Sequence, residues 1–143
     1  MKKPLRTITY GLGLLFLTML FISSGMAQHT KQTYTRQDSL RGSITPEREW
    51  WDLVYYHLDI EVKPKQKYIK GSNTIYYKVL KPGKVMQIDL QQPMKVLSFN
   101  QDGQNLQFKK EGSAYFIQLE ADQQPGTVHT LKVSYEGKPK ISP

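Results

Sequence analysis

The sequence predicts an all-β fold, an antiparallel β-sandwich. Apolar and polar residues alternate in several short segments, and glycine and proline turn signals separate these segments. No stretch of helical length after Ala27 has the three-to-four-residue apolar spacing of an amphipathic helix. About seven short strands at close spacing are typical of an antiparallel sandwich, so we expect strands and no helix after Ala27.

The clearest strand is "DLVYYHLDIEV", residues 52–62. A strand directs successive side chains to opposite faces, so this segment has an apolar face and a more polar face. The apolar face comprises Val54, Tyr56, Leu58, Ile60 and Val62, and the other comprises Tyr55, His57, Asp59 and Glu61. The pattern predicts a half-buried strand whose apolar face points into the core.

Six further strands are predicted, with turns signalled at Pro82-Gly83, Asp102-Gly103, Glu111-Gly112 and Pro125-Gly126. They cover residues 71–79, 85–91, 94–100, 105–110, 114–120 and 128–137. Three of them have a clear apolar face, which we expect to be buried: Ile75, Tyr77 and Val79; Met86, Ile88 and Leu90; Leu131, Val133 and Tyr135.

The N-terminus has the pattern of an export signal. Basic residues precede an apolar run over residues 8–22, and Gly25-Met26-Ala27 supplies small residues at a cleavage site. The alternative is a signal anchor, but a membrane-spanning helix needs roughly 20 apolar residues. We therefore predict a signal peptide over residues 1–27, a periplasmic or secreted protein, and no stable membrane insertion after cleavage.

The remaining chain is expected to comprise a flexible lead-in, residues 28–43, and one domain, residues 44–143. The absence of cysteine excludes disulfides and thiolate metal ligands. Lysines crowd one turn, at Lys63, Lys65, Lys67 and Lys70. They predict a solvated turn or, alternatively, a site for an anionic polymer. No nucleic-acid-binding motif is present, so no nucleic-acid partner is predicted.

His57, Asp59 and Glu61 are candidates for a metal site or for acid/base catalysis, because they share one strand face. Two residues along a strand span about 6.6 Å, which places the first and third side chains too far apart to share one ion easily. We interpret them as a polar face that is solvated or contacts another domain. No nucleophile motif and no H-E-x-x-H occurs, so no catalytic, cofactor-binding or metal-binding residue is predicted.

Aromatic residues are the candidate interface residues, namely Trp50, Trp51, Tyr55 and Tyr76. Aromatic rings on a face that does not point into the core need a cover or a ligand. Three hypotheses remain open for them: an interface with another domain, simple cross-strand pairing, and stacking on a sugar or peptide.

The order of several phrases resembles the opening of the gluzincin aminopeptidases, the aminopeptidase N family, in an exported bacterial form. The phrases are "TPEREWWDLVYYHLDIEV", "IKGSNTIYYKVL", "VMQIDLQQPMKV" and "VSYEGKP", between residues 45 and 139. The resemblance implies the N-terminal, saddle-like β-sandwich domain, which packs on a thermolysin-like catalytic domain and borders its substrate cleft.

The same resemblance implies that zinc and peptide substrates belong to the parent enzyme. That family binds zinc through H-E-x-x-H and a later glutamate, and it binds the substrate amine through G-x-M-E-N. None of these motifs occurs in this sequence. The resemblance therefore implies a truncated, incomplete sandwich whose partner is the catalytic domain of the same parent, and it leaves open whether this chain is an enzyme.

Two alternatives come from other functional classes. The first alternative is a free-standing exported binding module that uses an exposed Tyr and Trp face for a peptide or glycan. The second is a small independent hydrolase. The coding sequence beyond Pro143 separates the first alternative from the parent-enzyme hypothesis, because only a parent enzyme needs a downstream H-E-x-x-H.

We predict that the purified chain retains no stoichiometric zinc and does not release amino-acid amides from chromogenic substrates, because the required ligand set is missing. Elemental analysis and an aminopeptidase assay measure these properties. Near-equimolar zinc that is lost on His57→Ala would contradict the prediction.

Overall fold

The computed structural model describes residues 33–141. The predicted signal peptide, residues 1–27, and the first residues of the lead-in lie outside this range. Within it, no helix has the length and apolar character needed to cross a membrane.

Between residues 33 and 141 the chain forms eight antiparallel strands in two sheets, which confirms the predicted β-sandwich. The strands are β1 (Trp51–Lys63), β2 (Tyr68–Val79), β3 (Gly83–Asp89), β4 (Lys95–Gln101), β5 (Gln104–Asn105), β6 (Gln107–Glu111), β7 (Ala114–Gln123) and β8 (Val128–Gly137). The larger sheet has the order β1-β2-β8-β4-β5, and the smaller has the order β3-β7-β6.

The core lies between the two sheets. Strand β8 pairs with both β2 and β4, so Leu131 lies beside Ile75 and Val133 lies beside Phe99. The smaller sheet contributes Met86 and other buried side chains from the opposite side. The predicted core faces of β2, β3 and β8 are confirmed, since their apolar residues are buried or pack against the core.

The predicted burial of the apolar face of β1 is wrong. Its four regular apolar residues remain exposed, with exposed fractions of 50% for Tyr56, 56% for Leu58, 41% for Ile60 and 61% for Val62. The reason is the width of the two sheets. β1 is the edge strand of a five-stranded sheet, and the opposing sheet has only three strands, so it covers the middle of the larger sheet.

A β-bulge interrupts β1 near its start. The register shifts between Leu53, which lies opposite Tyr77, and Tyr55, which lies opposite Tyr76. Val54 is the extra residue, so it does not continue the predicted apolar face, and it is also exposed. A bulge increases the local twist of an edge strand.

The expectation of no helix after Ala27 is also wrong, because a short 3-10 helix spans Pro64–Gln66 between β1 and β2, and α1 spans Arg36–Gly42 within the predicted flexible lead-in. Thr35 and Asp38 form a capping box that satisfies free backbone N–H groups at its start. Leu40 is buried, and Arg36 forms an ion pair with Glu111 of β6. A helix of seven residues is too short to produce a clear apolar period.

The segment after α1 is held to β3 through the buried side chain of Gln87. Its Nε2 donates to the carbonyl oxygen of Leu40 at 3.1 Å, and its Oε1 accepts from the Thr45 hydroxyl at 2.8 Å. The backbone N–H of Gln87 donates to the carbonyl oxygen of Glu47 at 3.1 Å. These bonds fix residues 40–47 against the smaller sheet.

Trp50 connects the start of β1 to the smaller sheet. Its indole Nε1 donates to the carbonyl oxygen of Val85 at 2.8 Å, and its ring meets Tyr77 edge to face at 5.9 Å. Gly83 lies directly against the ring, since a Cβ atom there would stand 2.2 Å from it. Glycine is therefore required at this close approach.

Tyr77 is fully buried in the core and belongs to a satisfied polar network. Its hydroxyl accepts a hydrogen bond from Gln101 Nε2 at 2.9 Å and donates to Gln123 Oε1 at 3.4 Å. Burial disfavours the phenolate and raises the pKa of Tyr77 to about 12.

Asn73 of β2 is different, because its buried Oδ1 has no hydrogen-bond partner among the described residues. It lies between Leu58 of β1 and Val133 of β8 on the core-facing side of the larger sheet. A buried acceptor without a donor lowers stability.

We predict that the fold weakens at alkaline pH through Tyr77. The neutral phenol is favoured in the folded state, so this contribution is complete below the unfolded pKa of 10.0 and is lost as pH rises through about 12. Urea unfolding across this interval should show a falling free energy of unfolding, with a shallower slope for Tyr77→Phe. An unchanged slope in that variant would contradict the assignment to Tyr77.

We also predict that Asn73→Leu raises the melting temperature of the chain. The substitution replaces an unsatisfied buried acceptor with an apolar group of similar size, a gain of about 1 kcal/mol. Asn100→Leu is the matched control and should lower the melting temperature, because Asn100 Oδ1 accepts from the Gly103 N–H at 3.1 Å. Destabilisation by Asn73→Leu would count against this account of Asn73.

Candidate interaction surface

The candidate functional site is an apolar surface on the core-facing side of β1. We call it the uncovered strip, and it comprises Leu53, Tyr56, Leu58, Ile60 and Val62. These side chains share a sheet face with the buried Tyr77 and Ile75, which are the β2 partners of Leu53 and Tyr56. The strip therefore continues the hydrophobic core outward to the edge of the larger sheet.

A hollow of about 740 Å³ lies at the end of the uncovered strip nearest the bulge. Leu53 and Tyr56 line it together with Trp51, Leu80 and Ile88. A second hollow of about 260 Å³ shares Tyr56 and Ile88 with the first, so the two are neighbours. Asn73 also lines the second hollow. The strip thus borders a trough with an apolar floor that contains one buried acceptor, Asn73 Oδ1.

Charged residues form the rim of the larger hollow. Arg48 and Asp89 make an ion pair there, and Glu49 Oε2 lies 3.3 Å from Lys81 Nζ close by. Asp52 also lines the hollow and has no ion-pair partner within residues 33–141. An apolar centre with a polar rim is the usual composition of a protein interface.

The four aromatic candidates occupy three different environments. Trp50 is buried in the core with 4% of its surface exposed, and Trp51 is half-buried with its Nε1 donating to the carbonyl oxygen of Glu47 at 3.1 Å. Tyr55 and Tyr76 lie on the outer face of the larger sheet, where their rings stack with centroids 4.0 Å apart. Hydrogen bonding to Tyr76 raises the pKa of Tyr55.

The stacked tyrosines match the cross-strand hypothesis, since each ring already covers one face of the other. Their role as interface residues stays a prediction. The sequence did not predict the uncovered strip, because the alternation placed Tyr56, Leu58, Ile60 and Val62 in the core and assigned Leu53 to neither face. The sequence did contain one signal. Apolar residues occur on both faces near the start of the strand, including Val54 and Tyr55, which indicates a contact with another domain or chain in addition to the core.

His57, Asp59 and Glu61 lie on the outer face, exposed to solvent, opposite Thr74, Ser72 and Lys70 of β2. Glu61 Oε1 is 3.2 Å from Lys63 Nζ. Over residues 33–141, no three His, Asp or Glu side chains are grouped to hold a metal ion. The part of the chain described here therefore does not fit a zinc site, and the expectation that the chain binds no metal stays a prediction.

No protein-family model matches this sequence. No curated protein matches it either.

Solved structures, in contrast, contain similar folds. An M1 zinc metallopeptidase from Deinococcus radiodurans is 22% identical with a TM-score of 0.60, over 68% of this chain and 22% of that chain. Leukotriene A4 hydrolase from Saccharomyces cerevisiae is 23% identical with a TM-score of 0.50, over 60% of this chain and 15% of the hydrolase. These identities establish similarity of fold, and this chain spans less than a quarter of the length of either protein.

Proposed function

We propose that this chain is the non-catalytic N-terminal β-sandwich portion of a longer, exported zinc aminopeptidase of the M1 type. In this proposal it packs on the catalytic domain of the same protein and borders the substrate cleft. The uncovered strip is the observation that carries the proposal, because it continues the core and yet its side chains stay about half exposed among the described residues. The similarity of fold to part of an M1 zinc metallopeptidase and to part of a leukotriene A4 hydrolase supports the same proposal.

The energetic argument concerns the half-exposed side chains of the uncovered strip. Burying such a side chain against a neighbouring domain contributes roughly 1 kcal/mol or more. Five adjacent side chains with exposed fractions between 40% and 61% form a contiguous apolar surface, and such surfaces usually mark an interaction site. A catalytic domain seated there would bury Leu53 and Tyr56 at the large hollow.

The buried acceptor of Asn73 adds a polar requirement to this packing. Its Oδ1 lies beside the second hollow, within reach of a side chain or backbone N–H that enters the trough. A donor from the catalytic domain would satisfy it and fix the orientation of the two domains. Zinc chemistry in this proposal belongs wholly to the catalytic domain, and this chain contributes shape and exclusion of water.

The proposal includes export. A signal peptide over residues 1–27, with its basic start and apolar run, would deliver the enzyme to the periplasm or the medium. The absence of cysteine means that the domain needs no oxidising compartment for stability.

The experiment begins with the coding sequence beyond the codon for Pro143, which should encode H-E-x-x-H within a few hundred residues. The polypeptide encoded there is then produced separately, and its binding to this chain is measured by calorimetry. Leu53→Ser should weaken binding by about tenfold, because it removes an apolar contact of roughly 1.4 kcal/mol from the uncovered strip.

Leu97→Ser is the matched control, since Leu97 is a similarly exposed leucine that also lies at a register shift, but in the polar hollow of the outer face. It should leave binding unchanged. Equal loss in both variants would place the contact elsewhere. A coding sequence without H-E-x-x-H in any frame would refute the parent enzyme and favour the free-standing binding module.

A further inference from the structure

The outer edge of β1 is a second feature of the same strand, distinct from its core-facing surface. β1 is hydrogen-bonded to β2 on one side, and no described strand pairs with its other side. From Tyr55 to Lys63 the strand is regular and contains no proline. Its outward N–H and C=O groups can therefore accept another strand.

The sequence of β1 limits how two copies could pair along this edge. A two-fold axis perpendicular to the sheet makes the two β1 strands antiparallel and keeps their corresponding faces on the same side. One residue must then lie opposite the same residue of the second copy. Only residues 55–63 offer regular backbone, because the bulge at Val54 ends the regular stretch.

Charge and length distinguish the possible centres. Centring on Asp59 would oppose two Asp59 carboxylates, and centring on Ile60 would oppose Asp59 to Glu61 twice. Like charges directly opposite one another are destabilising. A register centred on His57 would pair only residues 55–59, because the regular stretch begins at Tyr55.

We propose that a second copy of this chain pairs with β1 edge to edge, in an antiparallel register centred on Leu58. This register pairs residues 55–61 of both copies and opposes no like charges. His57 lies opposite Asp59 of the second copy, where an imidazole N–H can donate to the carboxylate. Glu61 lies opposite Tyr55, and Asp59 gains a partner that it lacks among the ion pairs of residues 33–141.

Apolar residues support the same register on the core-facing side. Tyr56 would lie opposite Ile60 of the second copy, and Leu58 opposite Leu58, so half-exposed side chains gain apolar cross-strand neighbours. This inference goes beyond the proposed function, because it uses the edge of β1, whereas the contact with a catalytic domain uses its face.

The experiment uses single cysteines, which the natural sequence lacks entirely. In the proposed register the two copies of residue 58 have Cα atoms about 4.5 to 5.5 Å apart, a distance that a disulfide can bridge. The full chain with Leu58→Cys should shift from monomer to a disulfide-linked dimer on mild oxidation, as seen by non-reducing electrophoresis.

Tyr56→Cys and Ile60→Cys are matched controls on the same strand face. In the proposed register, each cysteine is displaced by four residues, about 13 Å along the strand, from the same cysteine in the second chain, so neither variant alone should cross-link. A mixture of the two variants should cross-link, because position 56 of one copy faces position 60 of the other.

Sedimentation of the unmodified chain completes the test, with a dimer expected. Three results would overturn the proposal. The unmodified chain could sediment as a monomer at all concentrations, Leu58→Cys could fail to form a disulfide on mild oxidation, or Ile60→Cys could cross-link with itself. These outcomes leave the proposed function intact, because Leu53, which reports on the domain contact, lies outside the paired stretch.

Discussion

The fold depends on Trp50, which joins the two sheets where β1 begins. Its carbonyl oxygen accepts from the N–H groups of both Leu80 and Lys81, so it fixes the turn between β2 and β3. Its indole donates to Val85 at the start of the smaller sheet, and its ring rests on Gly83. A single buried residue therefore connects the two sheets at this end of the sandwich. From this point β1 runs along the edge of the larger sheet, where its apolar face stays largely exposed.

That placement explains why one strand combines two kinds of exposure. The smaller sheet is three strands wide and covers the middle of a five-stranded sheet, so the apolar face of β1 extends past the edge of the smaller sheet and stays exposed. The other edge of β1 is open among residues 33–141, since β2 is the strand that pairs with it there. Proteins usually protect such edges with charges or bulges. β1 has both, in Asp59, Glu61 and the bulge at Val54, yet they leave the nine residues from Tyr55 to Lys63 regular.

The sequence was sufficient to predict most strands and turns, because alternation and turn chemistry are local. However, the predicted strand over residues 105–110 is divided at Leu106 between β5 of the larger sheet and β6 of the smaller sheet. The paired faces of β2 and β8 followed from the same alternation. The exposure of Leu58 and Ile60 did not, since it depends on the number of strands in a sheet formed by residues distant along the chain. Helix α1 was missed because its main signal is a cap, Thr35 with Asp38, and not a period. Gln87 was missed because a buried amide that binds backbone groups of the lead-in leaves no pattern in the sequence.

The face and the edge of β1 make different demands on a partner. Packing on the uncovered strip requires apolar shape and one donor for Asn73 Oδ1, whereas pairing along the edge requires a specific register of opposed side chains. A two-fold axis perpendicular to the sheet keeps both copies of the strip on one side of a continuous sheet. Two strips then lie next to each other, with Leu58 of each copy at their shared border. Edge pairing would therefore enlarge the apolar surface that a catalytic domain meets, so the two associations can reinforce one another through a single strand.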